Sequence, residues 1–192
     1  METVQEEQVW ILRTLQGDSE AFAELVRRYQ RPVYLLAYRM LGNGPDAEDV
    51  AQETFLRAYQ ALASFEIGRR FSSWLLSIAS NLCIDLLRRR KLAWLSLEDV
   101  TYRAAASQEE PVSGALRREQ ADQVQRLLAR LPEKYRLVVV LRYWYDLSYE
   151  EIVEVTGLSL NTVKTRLHRA RAMLARALEE EERRCATEPH AG

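Results

Sequence analysis

The chain has 192 residues, a formal net charge of −1 and an apolar share of 47%, which is ordinary for a globular protein. This length fits one domain or two, and the near-neutral total excludes a protein that holds nucleic acid by bulk charge alone. No segment approaches the roughly 20 apolar residues of a membrane span, and residues 1–10 carry acids where a signal peptide has basic residues. We therefore expect a cytoplasmic protein.

The two cysteines, Cys83 and Cys185, lie far apart, and neither belongs to a CxxC motif or has a paired histidine. This spacing argues against a disulfide scaffold and against a zinc site. We expect Cys83 to be a packed apolar residue and Cys185 to be an incidental residue of the tail. The sequence predicts no metal and no cofactor.

The charged residues are unevenly distributed along the chain. Residues 46–53 carry four acids and no base, residues 88–91 are four consecutive bases, and residues 164–176 hold five bases and no acid. Such segregation indicates distinct faces for distinct partners.

A helical period dominates from Val9 onward, and the strict alternation of strands is absent, so the sequence predicts an all-α protein. The sequence Gly17-Asp18-Ser19 is predicted to end a first helix and to cap a second. This second helix is expected to run to Met40 with a bend at Pro32.

A breaker at residues 42–45 precedes a third predicted helix, capped by Asp46 and running through Leu62. Its predicted core face comprises Ala47, Val50, Thr54, Ala58 and Leu62. The opposite face is acidic with one apolar member, because side chains three and four residues apart are neighbours on a helix. This face consists of Asp49, Gln52, Glu53 and Leu56.

A loop around Gly68 precedes a fourth predicted helix from Ser72 to Lys91, whose basic end suits the helix dipole. Its predicted buried stripe comprises Trp74, Leu75, Ile78, Leu82 and Leu86. Aromatic rings can stack on unpaired bases while cations follow the phosphates, which is typical of single-strand binding. The candidate residues are Phe65, Phe71, Trp74, Asn81, Asp85, Arg88, Arg89, Arg90 and Lys91. The alternatives are a solvated end for the basic run and a core position for Trp74.

Periodicity fades between Ala93 and Arg118, where polar and small residues accumulate. This composition predicts an interdomain linker. Helices are expected to resume from Glu119 to Leu131, and Pro132 is expected to open the next one. We therefore predict two small helical domains, residues 1–92 and 119–180, joined by a flexible linker, residues 93–118, and followed by a tail, residues 181–192.

The C-terminal domain carries a helix-turn-helix pattern. The sequence Ser148-Tyr149-Glu150-Glu151 is a capping box, Gly157 begins a turn, and a second helix starts near Ser159 or Leu160. Its inward stripe is predicted to be Val163, Leu167, Ala170 and Leu174. The other residues of its first turns suit base edges and phosphates. This predicted DNA-binding set is Asn161, Thr162, Lys164, Thr165, Arg166, His168, Arg169 and Arg171.

Arg169 or Lys164 can reach guanine in the major groove, while Arg166 and Arg171 flank the face and suit phosphates. The alternative is a solvated basic face on an ordinary helical hairpin. His168 lacks a second ligand at i+4, which argues against a metal role.

No catalytic set emerges from the sequence. It contains no phosphate-cradling loop, no HExxH and no nucleophile with a plausible histidine partner. The acids of residues 46–53 fit an exposed helix face better than a general acid/base pair.

Four motifs of this sequence resemble those of a known protein family. They are DAEDVAQETFLRAY at residues 46–59, FSSWLLSIASN at residues 71–81, SYEEI at residues 148–152 and TVKTRLHRAR at residues 162–171. Together they resemble the extracytoplasmic-function (ECF) group of bacterial sigma factors, in the family's order and over nearly the whole chain. The resemblance implies a region 2 domain, a linker lying in the polymerase and a region 4 domain.

By this resemblance, the face with Asp49, Gln52 and Glu53 docks on a coiled coil of the largest polymerase subunit. Residues 65–81 melt and capture the downstream promoter element, and the recognition helix reads the upstream element as duplex. The family also implies an anti-sigma factor, which can hold such a protein at a membrane. Two departures are Val153, where the family often has Ala, and residues 66–70, which are not its commonest loop.

Two rival classes stay open at this point. A self-sufficient helix-turn-helix regulator explains the C-terminal third but not the N-terminal half, and such regulators usually dimerise on palindromes. We expect instead a protein that is monomeric when free. An enzyme is the third class, and it lacks a site.

Overall fold

The computed structural model describes residues 2–96 and 115–187, and these are helical apart from short connections, with no β-strand in the ranges described. The all-α prediction is confirmed. Within the described residues, no helix combines the length and the apolar content that crossing a membrane requires. Among them, residues 2–96 with 154–157 fall in one compact unit, and residues 115–153 with 158–187 fall in another.

The first unit contains α1 (Glu2–Leu15), α2 (Ser19–Leu41), α3 (Gly44–Ala61), a 3-10 helix (Leu62–Ser64) and α4 (Phe71–Ser96). Asp18 caps α2 as predicted, and its Oδ1 accepts hydrogen bonds from the amides of Glu20 and Ala21 at 3.0 and 3.2 Å. Gly42 ends α2 in the left-handed region, with a φ of 81° that favours glycine. Pro32 lies inside α2.

The cap of α3 differs from the prediction. Asn43 occupies the cap position and accepts from the Asp46 amide at 2.9 Å, so Asp46 lies in the first turn. Asparagine caps as well as aspartate, and the Pro45 that follows fits the first turn. The predicted core face of α3 is confirmed, because all five of its residues are buried.

In α4 the buried stripe is shifted from the prediction. Leu75 is buried as expected, but Trp74, Ile78, Leu82 and Leu86 are only half-buried. The fully packed positions are Phe71, Leu75, Leu76, Ala79, Ser80 and Cys83. The helix is apolar on several sides, so periodicity alone did not select the side that faces α2 and α3.

The helix also extends beyond its predicted end. Because α4 continues to Ser96, the run Arg88–Lys91 lies inside it and not at its last turn.

The second unit contains α5 (Ala115–Ala129), α6 (Glu133–Trp144), the first five residues of α7 (Tyr149–Thr156) and α8 (Leu160–Thr187). α5 begins four residues before the predicted Glu119, inside the expected linker, and Pro132 stands one residue before α6. The rest of that linker, residues 97–114, lies outside the described residues, as do residues 188–192.

Buried Arg136 hydrogen-bonds to the backbone of the segment that connects α5 to α6. Its Nη2 donates to the carbonyls of Ala129 and Leu131 at 3.0 and 3.1 Å. The capping box is confirmed at α7: the Glu151 amide donates to Ser148 Oγ at 3.1 Å, and the Ser148 amide donates to Glu151 Oε2 at 2.7 Å. α8 starts at Leu160, as predicted, with Ser159 Oγ accepting from the Thr162 amide at 3.3 Å.

Candidate nucleic-acid and protein interfaces

The acidic face of α3 is turned to solvent. Asp49 and Gln52 are exposed, and Leu56 is 56% exposed, so this face also offers an apolar side chain to solvent. Glu53 forms an ion pair with Arg57, with 2.7 Å between Oε1 and Nε. The structure thus brings the four predicted residues together, and Arg57 neutralises part of their charge.

Phe65, Phe71 and Trp74 form one aromatic cluster at the base of the loop before α4. The ring centroid of Phe65 lies 5.6 Å from that of Phe71 and 5.1 Å from that of Trp74. The side chains of Phe65 and Phe71 are buried, so the expectation that they offer a face to an unpaired base is corrected for this structure. These two rings anchor the loop, whereas Trp74 keeps part of its surface at the edge of the cluster.

The cluster is connected to α1 through Tyr29. The Tyr29 ring lies 5.6 Å from the Phe71 ring, and its hydroxyl donates to Glu7 Oε1 at 2.6 Å. Burial, together with this carboxylate, raises the pKa of Tyr29. The hydrogen bond therefore joins the N-terminal helix to the aromatic cluster under the loop.

The loop itself is exposed from Glu66 to Arg70. Gly68 has a φ of +115°, a conformation that side chains disfavour. Ile67 at the loop tip is 54% exposed, and the sequence analysis did not single it out. An apolar side chain held out by a turn is a candidate for contact with a base, and its signal in the sequence was an apolar residue followed directly by Gly68 in an otherwise charged loop.

Three of the remaining candidates for single-strand binding lie on one face of α4. Asn81, Asp85 and Arg88 are spaced by four and three residues, so they lie in a row, and all three are exposed. Trp74 is two turns before Asn81 on the same row. Arg90 lies on the opposite side of the helix and forms an ion pair with Asp46. The predicted basic run is therefore divided, and only part of it shares the face of Asn81.

On α8, the inward stripe is confirmed for Val163, Leu167 and Ala170, which are buried, whereas Leu174 is half-buried and Ala177 is packed instead. The side chains opposite this stripe form an exposed polar and basic surface: Asn161, Lys164, Thr165 and His168. Thr162 and Arg166 lie nearer the core and are half-buried.

Two arginines on the sides of α8 are held by tyrosines of α6. The Arg171 Nε donates to the Tyr143 hydroxyl at 2.8 Å. A hydrogen bond from Arg169 lowers the pKa of Tyr135. Neither tyrosine was predicted from the sequence, because each contact joins residues about 30 positions apart and leaves no local pattern.

The potential metal ligands and Cys83 were located among the residues that can be described. These residues contain no group of three or more potential metal ligands among His, Cys, Asp and Glu. Cys83 is fully buried, as predicted, and burial raises the pKa of its thiol to about 12. The side chain of Cys185 lies outside the described residues.

Comparison with known proteins gives two family matches. The family described as Sigma-70 region 2 matches residues 25–93, and Sigma-70, region 4 matches residues 121–174. The chain is 41% identical over 176 residues to the ECF RNA polymerase sigma factor SigW of Bacillus subtilis, covering 88% of this chain and 94% of that protein. It is 34% identical over 187 residues to the RNA polymerase sigma-H factor of Pseudomonas aeruginosa, covering 93% and 97%.

Among solved structures, the chain is similar to CnrH in complex with the cytosolic domain of CnrY. The TM-score is 0.70 at 29% sequence identity, covering 91% of this chain and 98% of that chain.

Proposed function

Because this chain belongs to the sigma-70 family, in its ECF group, we propose that it docks on core RNA polymerase through α3, opens promoter DNA with α4 and reads an upstream element with α8. It is a sigma factor that binds core RNA polymerase, directs it to promoters and promotes their melting. The residues assigned to each step are the proposal.

The observation that supports this assignment is that one chain carries two different exposed surfaces of polar and basic side chains, one on α4 and one on α8. On α4, Asn81, Asp85 and Arg88 lie in one exposed row, and Trp74 of the aromatic cluster lies two turns before Asn81 on that row. Lys164 and Arg171 are exposed on α8, and this helix has the length and the polar surface of helices that enter a major groove. The first surface suits an unpaired strand and the second suits a duplex. A lone helix-turn-helix regulator would need only the second.

The exposed face with Asp49, Gln52, Glu53 and Leu56 is the proposed polymerase contact. Its charge suits a basic partner, and Leu56 offers an apolar centre that such contacts use. We assign residues 1–92 to region 2, residues 93–118 to the linker, residues 119–180 to region 4 and residues 181–192 to the tail. The family matches end and begin near these boundaries, which supports them.

The proposed role is that of an adaptor without catalytic activity of its own, acting in the cytoplasm and monomeric when free. CnrH is seen in complex with the cytosolic domain of CnrY, so a structural neighbour of this chain is bound by a second protein. We propose that an anti-sigma factor binds this chain, in some states at a membrane.

Reconstitution with core polymerase tests the function. A library of genomic fragments is transcribed by core polymerase with and without the chain, and a defined set of start sites is expected only with it. A variant with Lys164→Ala, Arg169→Ala and Arg171→Ala should still bind core polymerase but lose those starts. Specific duplex binding by a dimer without polymerase, and no new start sites, would instead identify a conventional regulator.

A further inference from the structure

Arg171 of α8 lies in a cluster that joins three elements of the second unit. Its Nε donates to the Tyr143 hydroxyl at 2.8 Å, and its guanidinium carbon lies 5.9 Å from the Tyr143 ring centroid. Interactions with Tyr143 and, to a smaller extent, with Tyr149, the first residue of α7, raise the pKa of Arg171. One cation and the Tyr143 hydroxyl thus meet at the surface of the unit.

This cluster is open to solvent. The side chain of Tyr143 is 54% exposed at the end of α6, although a tyrosine of a small helical unit can bury its ring in the core. Arg171 is exposed as well. The Tyr143 ring and the Arg171 guanidinium can therefore be reached by a ligand from solvent.

The donors of the cluster are suited to an oxyanion. A guanidinium carries five N–H donors, and the tyrosine bonds use only some of them. A phenol oxygen that accepts one hydrogen bond keeps its own proton to donate. Tyr143 and Arg171 can therefore donate together to one phosphate, in the way that charged and neutral donors share a DNA backbone contact.

The position of the cluster indicates which phosphate. Lys164 and Arg171 are seven residues apart, about two helical turns, and so lie on the same side of α8. If the outward residues Asn161, Thr165 and His168 face base edges, that side faces one of the two strands that border the major groove.

We propose that Tyr143, at the end of α6 and outside the helix-turn-helix, binds a phosphate of the upstream DNA strand together with Arg171. This inference rests on the proposed reading of duplex DNA by α8. A phosphate contact is independent of base sequence, so it is testable on any duplex.

The test measures binding of the full chain to a labelled duplex of arbitrary sequence, by fluorescence anisotropy at about 50 to 200 mM salt. Tyr143→Phe keeps the ring and removes the hydroxyl. It should weaken binding about two- to tenfold at every salt concentration, the range expected for one hydrogen bond. The slope of affinity against salt should stay unchanged, because tyrosine is neutral.

Two further variants separate the alternatives. Arg171→Ala should weaken binding and reduce the salt slope by about one, and adding Tyr143→Phe to it should cost less than in the wild type. Tyr59→Phe, at an exposed tyrosine of α3, is the matched control and should bind as the wild type. Equal circular dichroism and melting temperatures show that the fold is kept.

Wild-type affinity in Tyr143→Phe, with a clear loss in Arg171→Ala, would overturn the inference and leave the role of α8 intact. Failure of the wild-type chain to bind any duplex would overturn both.

Discussion

Arg90 of α4 forms an ion pair with Asp46 at the start of α3, with 2.5 Å between Nη2 and Oδ2. Asp46 also accepts a hydrogen bond from the Asn43 side chain, so the cap of one helix is connected to the basic run of another. The Asp46 side chain is 21% exposed. One of the four consecutive bases therefore contributes to the fold, while its neighbours Arg88, Arg89 and Lys91 are exposed.

Arg90→Ala should lower the free energy of unfolding by up to about 1 kcal/mol, because a partly buried ion pair is lost. Its effect on binding to single-stranded DNA should be small. Arg89→Ala is the matched control and should show the reverse pattern, with unchanged stability and a shallower salt dependence. Chemical denaturation and anisotropy titrations measure the two quantities. Equal losses of DNA affinity in both variants would contradict this division.

Asp49→Lys should weaken binding to core polymerase at least tenfold, on the order of 1.4 kcal/mol for reversing a charge in a complementary contact. Asp49 is preferable to Glu53 for this test, because Glu53→Lys would also place two cations at positions 53 and 57. Surface changes away from packing move stability little. Glu48→Lys, an exposed charge reversal turned by about 100° on the same helix, is the control.

The helices and the family were predictable from the sequence because their signals are local. The Asp18 cap, the capping box from Ser148 to Glu151 and the α8 stripe each depend on residues within a few positions of one another. The three- and four-residue spacing also predicted which residues of α3 share the exposed face.

What the sequence did not predict depends on contacts between helices. Phe65 and Phe71 have the residue type of a base-stacking platform, but packing with Tyr29 of α2 places Phe71 in the core. The pairing of Arg90 with Asp46 spans 44 positions, and that of Arg171 with Tyr143 spans 28. No periodicity in a single helix contains this information.

Stability should decrease above about pH 9 in a way that depends on Cys83. Burial raises the pKa of this thiol from 9.0 to about 12, so the unfolded chain ionises first as the pH rises. Below pH 9 neither state is ionised and the full stability is present. Between pH 9 and 12 the free energy of unfolding should fall by up to about 1.4 kcal/mol per pH unit.

The control for this prediction is Cys83→Ala, which lacks the thiol but keeps Tyr29, whose pKa is also raised by burial. The variant should be less stable at neutral pH because of the cavity, yet show a shallower alkaline decline. Parallel declines in both proteins, measured by urea unfolding at each pH, would show that Cys83 does not contribute.

Lys164→Ala and Arg169→Ala should have different effects on promoter binding. Lys164 is exposed on the recognition surface, so its loss should cost about 1–3 kcal/mol of discrimination at one upstream base pair if it contacts a base. Arg169 lies on the side of the helix opposite Lys164, near Tyr135, whose pKa it lowers. Its loss should weaken all promoter variants alike, with a shallower salt slope. Single-base discrimination lost in Arg169→Ala would show that it leaves Tyr135 to read a base.

Asn81→Ala should impair promoter opening while binding of the upstream element is kept. Asn81 is exposed on the row with Asp85 and Arg88, and its amide can pair with the edge of an extruded base. We expect a loss of about tenfold in transcription from a fully paired promoter, comparable to one or two hydrogen bonds. Footprinting over the upstream element should be unchanged, because α8 is untouched.

A promoter with a pre-formed bubble separates melting from base capture in this variant. Pre-melting removes the cost of opening but keeps the need to hold the base, so it should rescue Asn81→Ala only in part. Ile67→Ala in the exposed loop is the comparison: if the loop tip only nucleates opening, the bubble should rescue this variant fully. Complete rescue of Asn81→Ala, or a wild-type rate on paired DNA, would refute base capture by Asn81. Adding Arg88→Ala to Asn81→Ala should reduce the partial rescue further. This result would place the captured strand along the row on α4, because the salt-sensitive phosphate contact then lies two turns from the base.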